Sequence, residues 1–181
     1  PSELMTGSDW LNQPNKSQKK YLDTEAVYRQ FVYENYQTVD QGLEKTIAHL
    51  FDQDEFENTG IYSISQHIRD TLTKYMKYDE KTNTQSENVL EDFLNQKISG
   101  NDVLFASAAV EAFRHYNIPA RYVEGYLLKS DAIDEEGNAT LTSKDGHAWV
   151  EVYFDGMGWL PIDVTPGYYY DVYTLMNMVA T

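Results

Sequence analysis

The sequence has no cysteine, no long apolar run, and only half as many cations as anions. Without cysteine there is no disulfide, no thiolate zinc site and no thiol nucleophile, and the redox compartment stays open. No stretch approaches the roughly 18–20 apolar residues that span a bilayer, and no signal-peptide pattern is visible. With 14 Lys+Arg against 29 Asp+Glu, the net charge is −15. Such a field repels phosphate backbones and anionic lipid heads, which argues against nucleic acid or a membrane surface as partner. The chain opens at Pro1 without an initiator methionine, as expected of a segment taken from a longer polypeptide.

What is present is ordinary for a globular domain: 181 residues, 41% hydrophobic and 24% charged, enough for a real core. Tyrosine is abundant, 15 residues, which suits an exposed extracytoplasmic protein or a binding surface. Residues 1–22 read as a polar, irregular lead, and 23–181 as a single domain with a helical lead over 23–98, a core over 99–167 and an extension over 168–181. Helical periodicity starts near Thr24, with Val27, Phe31, Val32 and Tyr36 inward and Glu25, Arg29 and Gln30 toward water. Further helices are expected from Asp40 to Phe51, from about Ser63 through Tyr75, and from Val89 to Asn95, with loops over 52–57 and 81–88.

The second half changes character. Ser99-Gly100-Asn101-Asp102 is a stop-and-cap signal, and Val103 to Tyr116 forms an Ala-rich helix apolar over a wide face, hence central and buried. Asn117-Ile118-Pro119 ends it. Ala120 to Leu128 reads as a strand and 131–145 as an acidic loop. His147–Phe154 and Gly158–Asp163 read as strands joined by the turn signal Asp155-Gly156-Met157-Gly158. The fold class is α+β: a central helix packed on an antiparallel sheet, preceded by a helical segment.

Chemistry is expected at the open end of that hairpin. His147, Trp149, Glu151 and Tyr153 share one face of their strand, and return through the turn brings Asp163 toward His147. A carboxylate there holds an imidazole in one tautomer and stabilises its cation. A nucleophile belongs at a helix N-terminus, where free N–H groups and the dipole favour an anion. The residue at that position is Asp102.

These blocks resemble the transglutaminase-like family, whose core is papain-like. Gly100-Asn101-Asp102-Val103-Leu104-Phe105-Ala106 is similar to its G-x-C-x-x-F-A helix start, and 117–126 to its G-I-P-A-R-x-V-x-G-Y strand. His147-Ala148-Trp149-Val150-Glu151-Val152-Tyr153, then Gly158-Trp159 and Asp163-Val164-Thr165-Pro166, resemble its H-A-W-V-E-V-Y and G-W-x-x-x-D-x-T-P blocks. The resemblance covers roughly Asn88 to Gly167. Residues 31–36 further resemble the extracytoplasmic domains of bacterial membrane-anchored members. The resemblance implies His147 as general base, Asp163 as the residue orienting it, and Asp102 in the place of the nucleophilic cysteine. Asn117 stands for the family's glycine, a mild change because Asn tolerates left-handed backbone.

The implied reaction is thiolate attack on a glutamine carboxamide or peptide carbonyl. A carboxylate is a far weaker nucleophile toward an amide, and its product is an anhydride that reverts. Asp102 is read as a helix N-cap, worth about 1 kcal/mol, that also preserves the charge pattern of a thiolate–imidazolium pair. The leading expectation is therefore an inactive domain that binds a protein or peptide, with no cofactor and no metal. Two alternatives stand beside it: an acyl-transferase or cysteine protease-like enzyme whose nucleophile is altered in this chain, and a metal-dependent hydrolase using Asp102, His147 and Asp163. Ser99 and Ser107 do not match the nucleophile position. His49 and His67 are expected at the surface or boundary, and His115 to answer the helix dipole. Arg121 and Glu124 are expected to fix structure, and Tyr168-Tyr169-Tyr170 to pack against the sheet edge in preference to lining a groove or binding glycan.

Overall fold

A computed structural model describes residues 15–57, 60–82, 88–128 and 133–168. Helices come first: α1 (Lys16–Asn35), α2 (Glu44–Phe51), α3 (Ile61–Tyr75) and α4 (Val89–Gln96). Two short strands, β1 (Lys77–Tyr78) and β2 (Ser99–Gly100), flank α4. The second half holds α5 (Asp102–His115), β3 (Ala120–Tyr126), β4 (Gly146–Phe154) and β5 (Gly158–Ile162).

Helix α1 starts at Lys16, not near Thr24, so residues 16–22 are helical rather than irregular. Asn15 accepts from the Gln18 amide while the Gln18 side chain accepts from the Asn15 amide, a reciprocal cap that starts the helix early. Its expected inner face is also corrected. Val27 is 72% exposed and Phe31 49%, and Val32 alone in α1 is buried. The helix lies on the β4–β5 hairpin tip, so polar ends of long side chains make the contact. Glu25, expected in water, accepts from the Tyr153 hydroxyl (3.1 Å) and the Gly156 amide (3.0 Å). Tyr21 donates to the Gly156 carbonyl, Tyr33 to Asp155, and Trp159 Nε1 to the Tyr28 hydroxyl.

Helix α2 begins at Glu44 rather than Asp40, because the Asp40 carboxylate accepts from the Gly42 amide and makes a turn of the preceding residues. Helix α3 buries Ile64, Ile68 and Leu72 as its period requires. His67 is buried too, contrary to its expected boundary place. Its Nε2 meets the Phe51 carbonyl at 2.7 Å and its ring stacks on Phe56 at 4.0 Å. The parallel β1–β2 pair (Lys77↔Ser99, Tyr78↔Gly100) was not anticipated, being too short to show alternation. Gly100 permits it: a Cβ there would lie 2.5 Å from the Phe93 ring.

Helix α5 is the centre of the molecule. Leu104, Phe105, Ala106, Ala108, Ala109, Ala112 and Phe113 are buried, and the alanines admit close approach of the sheet. Ala148, Val150 and Val152 of β4 cover α5 from one side, while Ile47, Phe51, Ile68, Leu72 and Phe93 cover it from the others. Burying each large apolar side chain contributes about 1.5–3 kcal/mol. Asn117 takes φ +58°, the left-handed conformation expected of it. The sheet is antiparallel in the order β3-β4-β5, with Val150 opposite Ile162 and Phe154 opposite Gly158.

Candidate functional site

The hairpin delivers the first pair. With Val150 opposite Ile162, Asp163 emerges from β5 beside the start of β4. Its Oδ2 lies 2.6 Å from His147 Nε2, and its Oδ1 accepts from the Thr165 amide at 2.9 Å. Helix α5 delivers the third group. Asp102 Oδ2 is 3.0 Å from His147 Nδ1 and accepts from the Ala148 amide at 2.9 Å, while Oδ1 accepts from the Val103 amide at 3.0 Å. Asp102, His147 and Asp163 thus form one continuous array.

The expected cap is corrected. Asn101 caps α5, accepting from the Leu104 amide at 3.2 Å, and Asp102 is the first helical residue. Because Asn101 takes the capping role, the Asp102 carboxylate is free to turn to the sheet and meet His147. Burial pulls the His147 pKa down, but the carboxylates of Asp102 and Asp163 outweigh it and push it from 6.5 to about 9. Burial likewise opposes charge on Asp102, and the hydrogen bonds from His147 and the Ala148 amide hold its pKa below the usual carboxylate value. The raised value favours the charged imidazole, which stands between the carboxyl groups of Asp102 and Asp163.

Tyr168 roofs the imidazole, its ring stacked on His147 at 4.4 Å, rather than packing at the sheet edge. Tyr169 and Tyr170 lie outside the described residues. His115 sits in the last turn of α5, as the dipole favours, and also pairs with Asp52 at 2.9 Å. Arg121 is structural as expected, bonded to Glu151 (2.8 Å) with its guanidinium over Trp159 (4.4 Å). Glu124 accepts from the Tyr122 hydroxyl but opens onto a cleft of about 550 Å³ that also meets Asp102, Val103, Gly125, Tyr126 and His147.

Sequence reasoning preferred the sheet edge for Tyr168 over a groove, and missed Trp149 as the reason for Gly125. A Cβ on Gly125 would lie 2.6 Å from the Trp149 ring, which stands beside His147 at 6.3 Å between ring centroids. Gly125→Ala is expected to displace that indole and cost about 1–3 kcal/mol, read as a lowered midpoint in urea. An unchanged midpoint would show that the ring has room to move.

The family model described as the transglutaminase-like superfamily matches residues 52–164. The chain belongs to the transglutaminase-like superfamily. Among curated relatives, it is 37% identical over 87 residues to the uncharacterized protein YebA of Bacillus subtilis, covering 45% of this chain and 12% of that protein. It is 38% identical over 77 residues to a protein-glutamine gamma-glutamyltransferase of Pseudomonas aeruginosa, covering 42% of this chain and 11% of that one. The chain therefore spans a small part of the length of these relatives. The crystal structure of the periplasmic domain of TgpA from Pseudomonas aeruginosa superposes with a TM-score of 0.53 at 21% identity, over 81% of this chain and 48% of that one. That likeness is one of fold, and it agrees with the α+β, transglutaminase-like architecture built above.

Proposed function

We propose that this transglutaminase-like domain carries an aspartate in the nucleophile position, is inactive in thiol acyl transfer, and works as a protein- or peptide-binding module. The observation that carries this reading is the state of Asp102. Its carboxylate is held by His147, Ala148 and Val103, where a nucleophile would face an imidazole base. A stabilised carboxylate attacks amides poorly, and the ion pair lowers its reactivity further. His147, Asp163 and the helix N-terminus remain as a frame around a cleft that can still hold a chain segment.

A metal-dependent reading is weaker. Both His147 nitrogens are already paired with carboxylates, and among the described residues no group of three His, Cys, Asp or Glu side chains is arranged to hold an ion. The altered-nucleophile reading keeps support from the preserved His147–Asp163 pair. An extracytoplasmic location is supported by the periplasmic domain that shares the fold. Among the described residues, no helix is long and apolar enough to cross a membrane.

The test is catalytic. The chain is incubated with a glutamine-containing protein and a labelled primary amine, and label incorporation and ammonia release are followed. Neither is expected. Turnover that disappears in His147→Ala would sink the reading of inactivity.

A further inference from the structure

Among the described residues, strand β3 is the edge of its sheet, bonded to β4 on one side. Its backbone alternation is fixed by bonds at either end. The Tyr153 amide donates to the Pro119 carbonyl, and the Leu127 amide to the Asp145 carbonyl. Odd-numbered residues therefore turn their N–H and C=O toward β4, and even-numbered residues turn theirs off the sheet. Ala120 is satisfied there, donating to the Tyr36 carbonyl and accepting from Arg114 Nε. Among the described residues, no group meets the outward backbone of Tyr122, Glu124 or Tyr126.

The side chains of those three residues share a second property. Ala120 and Tyr122 lie against α5, but the helix ends at Asp102, so Glu124 and Tyr126 emerge beyond it into the cleft. Glu124 is exposed and Tyr126 is 60% exposed. Among the described residues, the cleft is lined by two carboxylates, Asp102 and Glu124, and by no lysine or arginine. His147 is committed to Asp102 and Asp163.

We infer that the free edge of β3 at Tyr122, Glu124 and Tyr126 takes an extended basic peptide as an added strand, with a lysine or arginine opposite Glu124. Main-chain bonds to the three outward residues supply affinity, and the Glu124 carboxylate supplies the choice of side chain. The two tyrosines flanking Glu124 on the same face favour apolar or aromatic residues two positions either side of the cation. Charge selects against a second copy of this chain, since paired β3 edges would bring Glu124 near Glu124 between two molecules of net charge −15. The inference rests on the binding-module reading and names the occupant of its cleft.

The probe is a fluorescein-labelled peptide alternating threonine and valine with one central lysine, titrated against the full chain and followed by anisotropy and amide hydrogen exchange. Binding should slow exchange at the Tyr122, Glu124 and Tyr126 amides. Methylating the peptide nitrogens that face β3 should weaken binding about tenfold, since each leaves a backbone partner unpaired. Replacing lysine by glutamate, or Glu124→Lys in the protein, should weaken it about fivefold. Tyr126→Pro removes an outward N–H without touching the β4 ladder and should match the methylated peptide.

Three results overturn the inference. The first is binding that is indifferent to methylation and to Glu124→Lys, which leaves a binding module without strand addition. Another is protection of the same amides without peptide, together with dimers in sedimentation, which assigns the edge to a second copy. The third is no binding at all. Amine incorporation by the chain would instead count against the inactivity reading and leave the edge untouched.

Discussion

Asp102→Cys is expected to create a thiol that iodoacetamide alkylates at pH 6 about tenfold faster than a free cysteine. The physics is already visible around the carboxylate. Position 102 opens α5, its side chain receives the Val103 and Ala148 amides, and His147 Nδ1 stands 3.0 Å away. Every one of these groups stabilises an anion, so a thiol placed there should ionise well below its ordinary value of about 8.5. Lower intrinsic nucleophilicity offsets part of the gain in thiolate, which is why the expected acceleration is modest. His147→Ala in the same background should return the rate toward that of a free thiol. Sluggish alkylation of the Asp102→Cys variant at pH 6 would count heavily against position 102 as the family's nucleophile position.

The second large effect is on stability. His147→Ala leaves the side chains of Asp102 and Asp163, 18% and 9% exposed, facing each other without the cation between them. Removing one member of a buried ionic array costs about 3–5 kcal/mol, a large share of a domain stability of about 5–15. The same array predicts a pH profile. His147 has its pKa raised on folding, from 6.5 to about 9, so its contribution is complete below 6.5 and lost as pH rises through 9. That span corresponds to roughly 3 kcal/mol at most. Asp102 acts oppositely: its pKa is lowered on folding, so its contribution holds above 3.8 and is lost as pH falls through the depressed value. Urea midpoints should therefore be highest between about pH 4 and 6.5 and decline toward pH 9. In His147→Ala the alkaline decline should be reduced. A wild-type midpoint flat from pH 6 to 9 would contradict the charged array.

Much of the site was legible because it depends on short-range geometry. Asp163 reaches His147 through a single hairpin whose turn residues fix the pairing, and Asp102 is placed by the break that starts α5. The Ala-rich face of α5 announced its burial for the same reason. What was not legible depends on contacts between distant segments. Tyr168 and His147 come together through the chain's course after β5, which no local period encodes. The cap was misassigned because Asn101 and Asp102 are both good cap residues, and only the position of the sheet decides which is free to turn away. Val27 and Phe31 looked inward on helical spacing, yet α1 meets a hairpin tip rather than the core, so its contacts with the hairpin run through Glu25 and Tyr28. His67 and Glu111 are buried polar residues satisfied by partners far along the chain, the Phe51 carbonyl and the Asp40 amide.

The bonds from Glu25 to Gly156 and from His147 to Asp163 hold opposite ends of the same hairpin. Inside-outside alternation alone leaves β4 and β5 free to slide past one another in steps of two residues, since such a step keeps every side chain on its face. A slip of that size moves one strand by about 7 Å relative to the other. It would part His147 from Asp163 at one end and draw the turn away from Glu25 at the other. The turn sets the alignment that apolar burial cannot choose, and two polar locks hold it, one of them at the site itself.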